Sequence, residues 1–161
     1  MREASYNSLF ASKLERDIGG EVQKISDRSS LGLPDSFHYM GGIVTFFEVK
    51  VVNATNAISL YQGKMACKPW EAVNDIRQFE VCRRMNKNAT VLYVIYYTAS
   101  RTSAVIPLEL LEKYNRKRHA DCLYYLQKGQ YFVDGHGVDA FHRILLDKKK
   151  EIYDRLCKEV I

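Results

Sequence analysis

The chain has 161 residues, 47% of them hydrophobic, and 24 Lys and Arg against 19 Asp and Glu give it a net charge of +5. That length suits one domain, and that apolar content excludes global disorder. No run reaches the roughly 18 consecutive apolar residues that a membrane helix needs, and the positive balance favours a polyanionic partner such as nucleic acid, with a mildly basic solvated surface as the plain alternative.

The segment Met1 to Leu14 lacks the apolar centre of a signal peptide, so the expected location is intracellular. Leu9, Phe10, Leu14 and Ile18 recur at helical spacing and predict a helix over Ser8–Ile18, ended by Gly19-Gly20. Val22–Ile25 reads as a short strand and Ser26–Pro34, rich in Ser and Gly, as a loop. A hairpin follows: aromatic Ser36–Met40, a two-residue turn at Gly41-Gly42, then the β-branched and aromatic run Ile43–Val52. Asn53–Lys68 reads as a loop. Pro69–Asn86 reads as one helix, with Pro69 in its first turn, Glu71 and Asp75 near its positive end, and Arg83, Arg84 and Lys87 near its negative end. Thr90–Thr98 is almost continuously β-branched or aromatic, as a buried central strand is. A strand over Ser103–Ile106, a short helix over Pro107–Tyr114, a basic loop over Asn115–His119 and a second loop over Gly129–Gly137 come next. Asp139–Val160 closes the chain as a helix, with Asp139 as N-cap. The expected fold is a mixed α/β domain, a central sheet flanked by helices, over residues 1–161.

Several residue types have no partners at the spacing their chemistry needs. Cys67, Cys82, Cys122 and Cys157 show no C-x-x-C pair and read as reduced packing thiols. His119, His136 and His142 lack zinc-spaced partners, His38 reads as structural, and Asp134-Gly135-His136-Gly137 as a flexible turn. Tyr93, Tyr96, Tyr97, Tyr124, Tyr125 and Tyr131 read mostly as packing aromatics, with base stacking as the alternative. Arg116-Lys117-Arg118 and Lys148-Lys149-Lys150 read either as phosphate contacts or as solvated basic runs.

The chemistry concentrates in the hairpin. If Gly41-Gly42 is a two-residue turn, Met40 pairs with Ile43, and stepping outward brings Asp35 opposite Glu48. Directly opposed side chains share one face of a sheet. Side chains alternate along a strand, so Phe46, Glu48 and Lys50 share that face while Phe47, Val49 and Val51 point the other way. Two carboxylates and an ammonium then meet on one patch. Opposed like charges destabilise a sheet unless something offsets them, and a hard divalent cation does so with carboxylate ligands. The plain alternative is a Glu48–Lys50 pair on a solvated sheet face with no metal.

Leu33-Pro34-Asp35, twelve further residues and then Glu48-Val49-Lys50 resemble the PD-(D/E)XK nuclease superfamily. Within it, the chain looks most like the small Holliday-junction resolvases and the virus-type replication-repair nuclease domains. The resemblance spans about Ser8 to Ile106 and leaves residues 107–161 as a helical extension. It implies a restriction-endonuclease-like core and Mg²⁺- or Mn²⁺-dependent endonucleolytic hydrolysis of DNA, with four-way junctions as substrate and a homodimer as the working unit. Asp35, Glu48 and the Val49 carbonyl would hold the metal, and Lys50 would be the catalytic lysine. Glu15, or else Glu21, would complete the acidic set, and Gln78 would reach the site from a helix; solvent-facing roles are the alternatives. Arg28, Ser29 and Ser30, with Ser26, resemble the loop that lies along DNA, and Arg116, Lys117 and Arg118 would add phosphate contacts. Two departures stand out: bulky Phe37, His38 and Tyr39 follow Asp35, and Asn53–Lys68 is longer than in the shortest members. Flap, single-stranded or RNA substrates, or a catalytically silent nucleic-acid-binding or host-interaction module, are the rival readings.

Overall fold

A computed structural model of the protein describes residues 1–25, 32–53, 69–73, 75–115 and 119–160. Arg28, Ser29, Ser30, Arg116, Lys117 and Arg118 lie outside the described residues, as do Ser26 and nearly all of the Asn53–Lys68 segment.

Among the described residues there are six strands, most of them rich in β-branched and aromatic side chains: β1 (Glu21–Lys24), β2 (Ser36–Met40), β3 (Ile43–Val52), β4 (Thr90–Tyr97), β5 (Thr102–Pro107) and β6 (Phe132–Asp134). They make one sheet in the order β1-β2-β3-β4-β5-β6. Neighbours run antiparallel except β3 and β4, which are parallel. A parallel pair needs a long crossover, and here it contains a 3₁₀ turn (Pro69–Ala72) and helix α2 (Ile76–Met85).

The remaining helices are α1 (Glu3–Asp17), α3 (Leu108–Asn115), α4 (His119–Lys128) and α5 (Val138–Val160). Alternation along β4 separates two cores. Leu92, Val94 and Tyr96 pack with Phe47 and Val49 against Tyr6, Phe10 and Leu14 of α1 and Phe141 and Ile144 of α5. Val91, Tyr93, Ile95 and Tyr97 pack against Phe79 and Cys82 of α2, Leu108 and Leu111 of α3, and Cys122 and Leu126 of α4. The sheet is thus covered on both faces, which is why all but the first residue of β4 is buried and its sequence reads as an apolar run. The mixed α/β architecture expected from the pattern is present. Residues past 107 supply an edge strand and helices to the same two cores.

Some boundaries differ from expectation, each for a local reason. Helix α1 starts at Glu3, where Tyr6 and Asn7 are buried by tertiary contacts; the Tyr6 hydroxyl donates to the His136 carbonyl at 2.6 Å. The helix expected over Pro69–Asn86 is interrupted, because Asp75 adopts extended backbone and caps α2, its carboxylate accepting the Gln78 N–H at 3.0 Å. Residues 129–137 are not all loop. Phe132–Asp134 pair with β5, and His136 stacks on Tyr96 with centroids 5.1 Å apart, so the Asp134–Gly137 turn is packed. His119 begins α4 instead of ending a loop, and α5 begins at Val138, which leaves Asp139 inside the helix rather than at its cap. Tyr93, Tyr96 and Tyr97 are core residues, whereas Tyr124 and Tyr125 are exposed.

Candidate active site

The Gly41-Gly42 turn is two residues long, both glycines having positive φ, as turns that match strand twist require. It sets the pairing of Met40 with Ile43 through to Ser36 with Phe47. One step further out, Asp35 stands beside Glu48, and there side chains take over from the backbone ladder. The Asp35 N–H donates to Glu48 Oε2 at 2.9 Å, and the Val49 N–H donates to Asp35 Oδ2 at 2.8 Å. Each carboxylate therefore holds the other strand's backbone. The Asp35 carbonyl accepts the Ile25 N–H at 2.8 Å, which ties the same point to the end of β1.

Lys50 Nζ lies 3.5 Å from Glu48 Oε1, with both side chains nearly inaccessible, at 8% and 3%. Gln78 projects from the first turn of α2. Its Nε2 donates to the Leu33 carbonyl at 3.3 Å, and its side chain also hydrogen-bonds Glu48. Burial pushes the Glu48 carboxyl up to about 8. The neighbouring Asp35 charge acts in the same direction, while Lys50 and Gln78 pull against both. The Asp35 contribution, second to burial, is the opposed-carboxylate penalty that the hairpin geometry anticipates.

Two further side chains bound the site that the sequence did not single out for it. Tyr93 of β4 is paired with Glu48 in the parallel register and is fully buried. Cys82 of α2 donates from Sγ to the Gly32 carbonyl at 3.8 Å, and burial, then Glu48, push its thiol up to about 12. A capping Asp75 with a polar residue one turn into an amphipathic helix was the available signal for α2's approach; nothing local marked Tyr93 or Cys82.

Glu15 is exposed on α1, whose buried side packs with Phe47 and Val49 on the sheet face opposite Glu48. Glu21 is exposed on the outer strand β1. The structure brings together Asp35, Glu48, Lys50 and Gln78 and leaves these two glutamates apart from them. Among the described residues, no group of three or more His, Cys, Asp or Glu side chains could hold a metal ion. The donor set at the hairpin is two carboxylates, plus the Val49 carbonyl. In an extended strand a residue's N–H and C=O point the same way, so this carbonyl is on the side where its N–H meets Asp35. Hard oxygen donors of this number fit Mg²⁺, which uses one or two carboxylates and keeps water or phosphate oxygens for the rest.

Among the described residues no helix is long and apolar enough to cross a membrane. No protein-family model matches the sequence, and no curated protein matches it.

Proposed function

We propose that the protein is a metal-dependent nuclease with a restriction-endonuclease-like core. The observation that carries this reading is the reciprocal clasp of Asp35 and Glu48 with Lys50 3.5 Å from Glu48, all on one covered patch. A buried Glu48 carboxyl held beside the half-buried Asp35 carboxyl in a hairpin is hard to account for by stability alone, since opposed like charges destabilise. Asp35, Glu48 and the Val49 carbonyl would bind Mg²⁺ or Mn²⁺. Such an ion supplies a lowered pKa for bound water and polarises a phosphoryl oxygen. Lys50 contributes a fixed positive charge that binds a scissile phosphate or orients the attacking water. The Asp35 and Val49 amides fix which carboxylate oxygens remain for a ligand, and Gln78 holds Glu48 from the helix side. The net charge of +5 suits a polyanionic substrate. By the motif's resemblance, the substrate is branched DNA of the four-way-junction type and the unit is a homodimer.

The test is cleavage of a four-way junction, a linear duplex and a single strand with Mg²⁺, Mn²⁺ or EDTA. Metal-dependent cleavage, lost in Lys50→Ala and Asp35→Ala, is expected, with the junction preferred. Cleavage of none of them would sink the nuclease reading. Full-rate cleavage by either variant would remove these residues from the site.

A further inference from the structure

The helices α3 and α4 carry a row of side chains that the Asp35–Glu48 site does not use. Lys113 Nζ lies 5.8 Å from the centre of the Tyr114 ring. Tyr114 stacks on Tyr125, with centroids 5.9 Å apart and planes 13° from parallel. Tyr125 meets Tyr124 edge-on at 5.3 Å. Lys128 Nζ lies 5.9 Å from the Tyr124 ring centre. The order is ammonium, three phenol rings, ammonium. Tyr124 is 58% and Tyr125 39% exposed, although large aromatics are usually drawn into a core. Leu126 and Cys122 of the same helix are buried, so α4 faces the core on its other side. Its one carboxylate, Asp121, is in its first turn.

We infer that this row is a docking platform for single-stranded nucleic acid. Exposed aromatic rings stack on bases of any sequence, and ammoniums at the ends of a row meet the phosphates on either side. A protein partner would need carboxylates spaced to meet both lysines, whereas every nucleic-acid strand already alternates phosphates with planar bases and so matches rings flanked by ammoniums. Both helices cover the sheet face from which Glu48 and Lys50 project. The inference rests on the nucleic-acid reading of the chain but not on cleavage, and it favours the flap or single-stranded substrates over the fully paired four-way junction.

The experiment measures fluorescence anisotropy of a short labelled oligothymidylate and of a duplex, in EDTA, with the full chain. Tyr124→Ala with Tyr125→Ala should weaken oligothymidylate binding about tenfold or more, the scale of losing a stacked base, while Tyr→Phe at both positions retains it. Lys113→Ala with Lys128→Ala should lower the salt slope by about 1.4, for two single-strand phosphate contacts. Both tyrosines are exposed, so unchanged thermal unfolding is expected and serves as the folding control. Equal affinity of the alanine variant and the wild type, or no binding by the wild type, overturns the proposal. So does an oligomer that dissociates in the alanine variant while oligothymidylate binding persists, which would make the patch a contact between copies. Metal-dependent cleavage without tyrosine-dependent oligothymidylate binding would sink the platform and keep the nuclease reading. Tyrosine-dependent binding without any cleavage would sink the nuclease reading and keep the platform.

Discussion

Glu48→Gln should remove most of the protein's loss of stability between about pH 5 and pH 8. The substitution keeps the side chain's shape and an oxygen able to accept the Asp35 N–H, and deletes the charge. In the folded chain Glu48 ionises near 8, against an ordinary 4.5 once unfolded. The raised value means that the folded chain keeps the proton longer. The associated stability is therefore complete below about pH 4.5 and is lost as pH rises through 8. At about 1.4 kcal/mol per pH unit, the interval from 4.5 to about 8 amounts to about 5 kcal/mol. Domains are stable by only about 5–15 kcal/mol in total, so the wild type should be much weaker at pH 8 than at pH 5 when no divalent cation is present. Urea unfolding in EDTA, followed by circular dichroism across that range, reads the effect as a falling midpoint for the wild type and a flatter profile for Glu48→Gln. Mg²⁺ should restore the wild type at pH 8 and do far less for the variant. Parallel profiles for the two proteins would refute the assignment of a buried, proton-holding carboxyl at this position.

Gln78→Ala removes a hydrogen bond that favours ionised Glu48, so Glu48 should titrate higher still, visible by carbon-13 NMR of its side chain, with about 1 kcal/mol less stability. Asp75→Ala deletes the α2 cap and should cost about 1 kcal/mol in urea unfolding. Gly137→Ala should lower the melting temperature far more than Gly41→Ala. Both glycines have positive φ, but an added Cβ at Gly137 would sit 2.6 Å from Val105 Cγ2, whereas Gly41 has nothing within 4 Å. Phe10→Ala, which empties a site between Phe47 and Phe141, should cost about 3–5 kcal/mol.

The hairpin was fully legible because two local rules agree on it: β-branched and aromatic content, and a glycine pair that only a tight turn explains. The same turn carries the register, so the meeting of Asp35 with Glu48 could be counted outward from Gly41-Gly42. Elements governed by tertiary contact were less legible. β6 is three residues long and exists because β5 offers it an edge. Helix α4 lies in a stretch whose apolar residues alternate with exposed tyrosines, which blurs the helical stripe. The break before α2 turns on one side chain, Asp75, read as a charge favouring a helix start when it is the cap itself. Tyr93 was recognised as part of a strand, but its place beside Glu48 follows from the parallel β3–β4 register, and that pairing joins residues more than forty apart, beyond any local pattern.

The two-residue turn also restricts how this chain can vary. Side chains alternate faces along each strand, so one residue inserted between Met40 and Ile43 would move the whole of β3 against β2 by a single step. Asp35 would then oppose a residue whose side chain belongs to the α1 face, and Glu48 would lose the amide it now accepts. Variants of this hairpin that keep the carboxylate pair must therefore compensate any odd change in turn length with a bulge elsewhere in the same two strands. A library of turn lengths, sorted for metal-dependent stabilisation, should return the parent length, even changes that keep each side chain on its face, and odd changes only where a bulge compensates them.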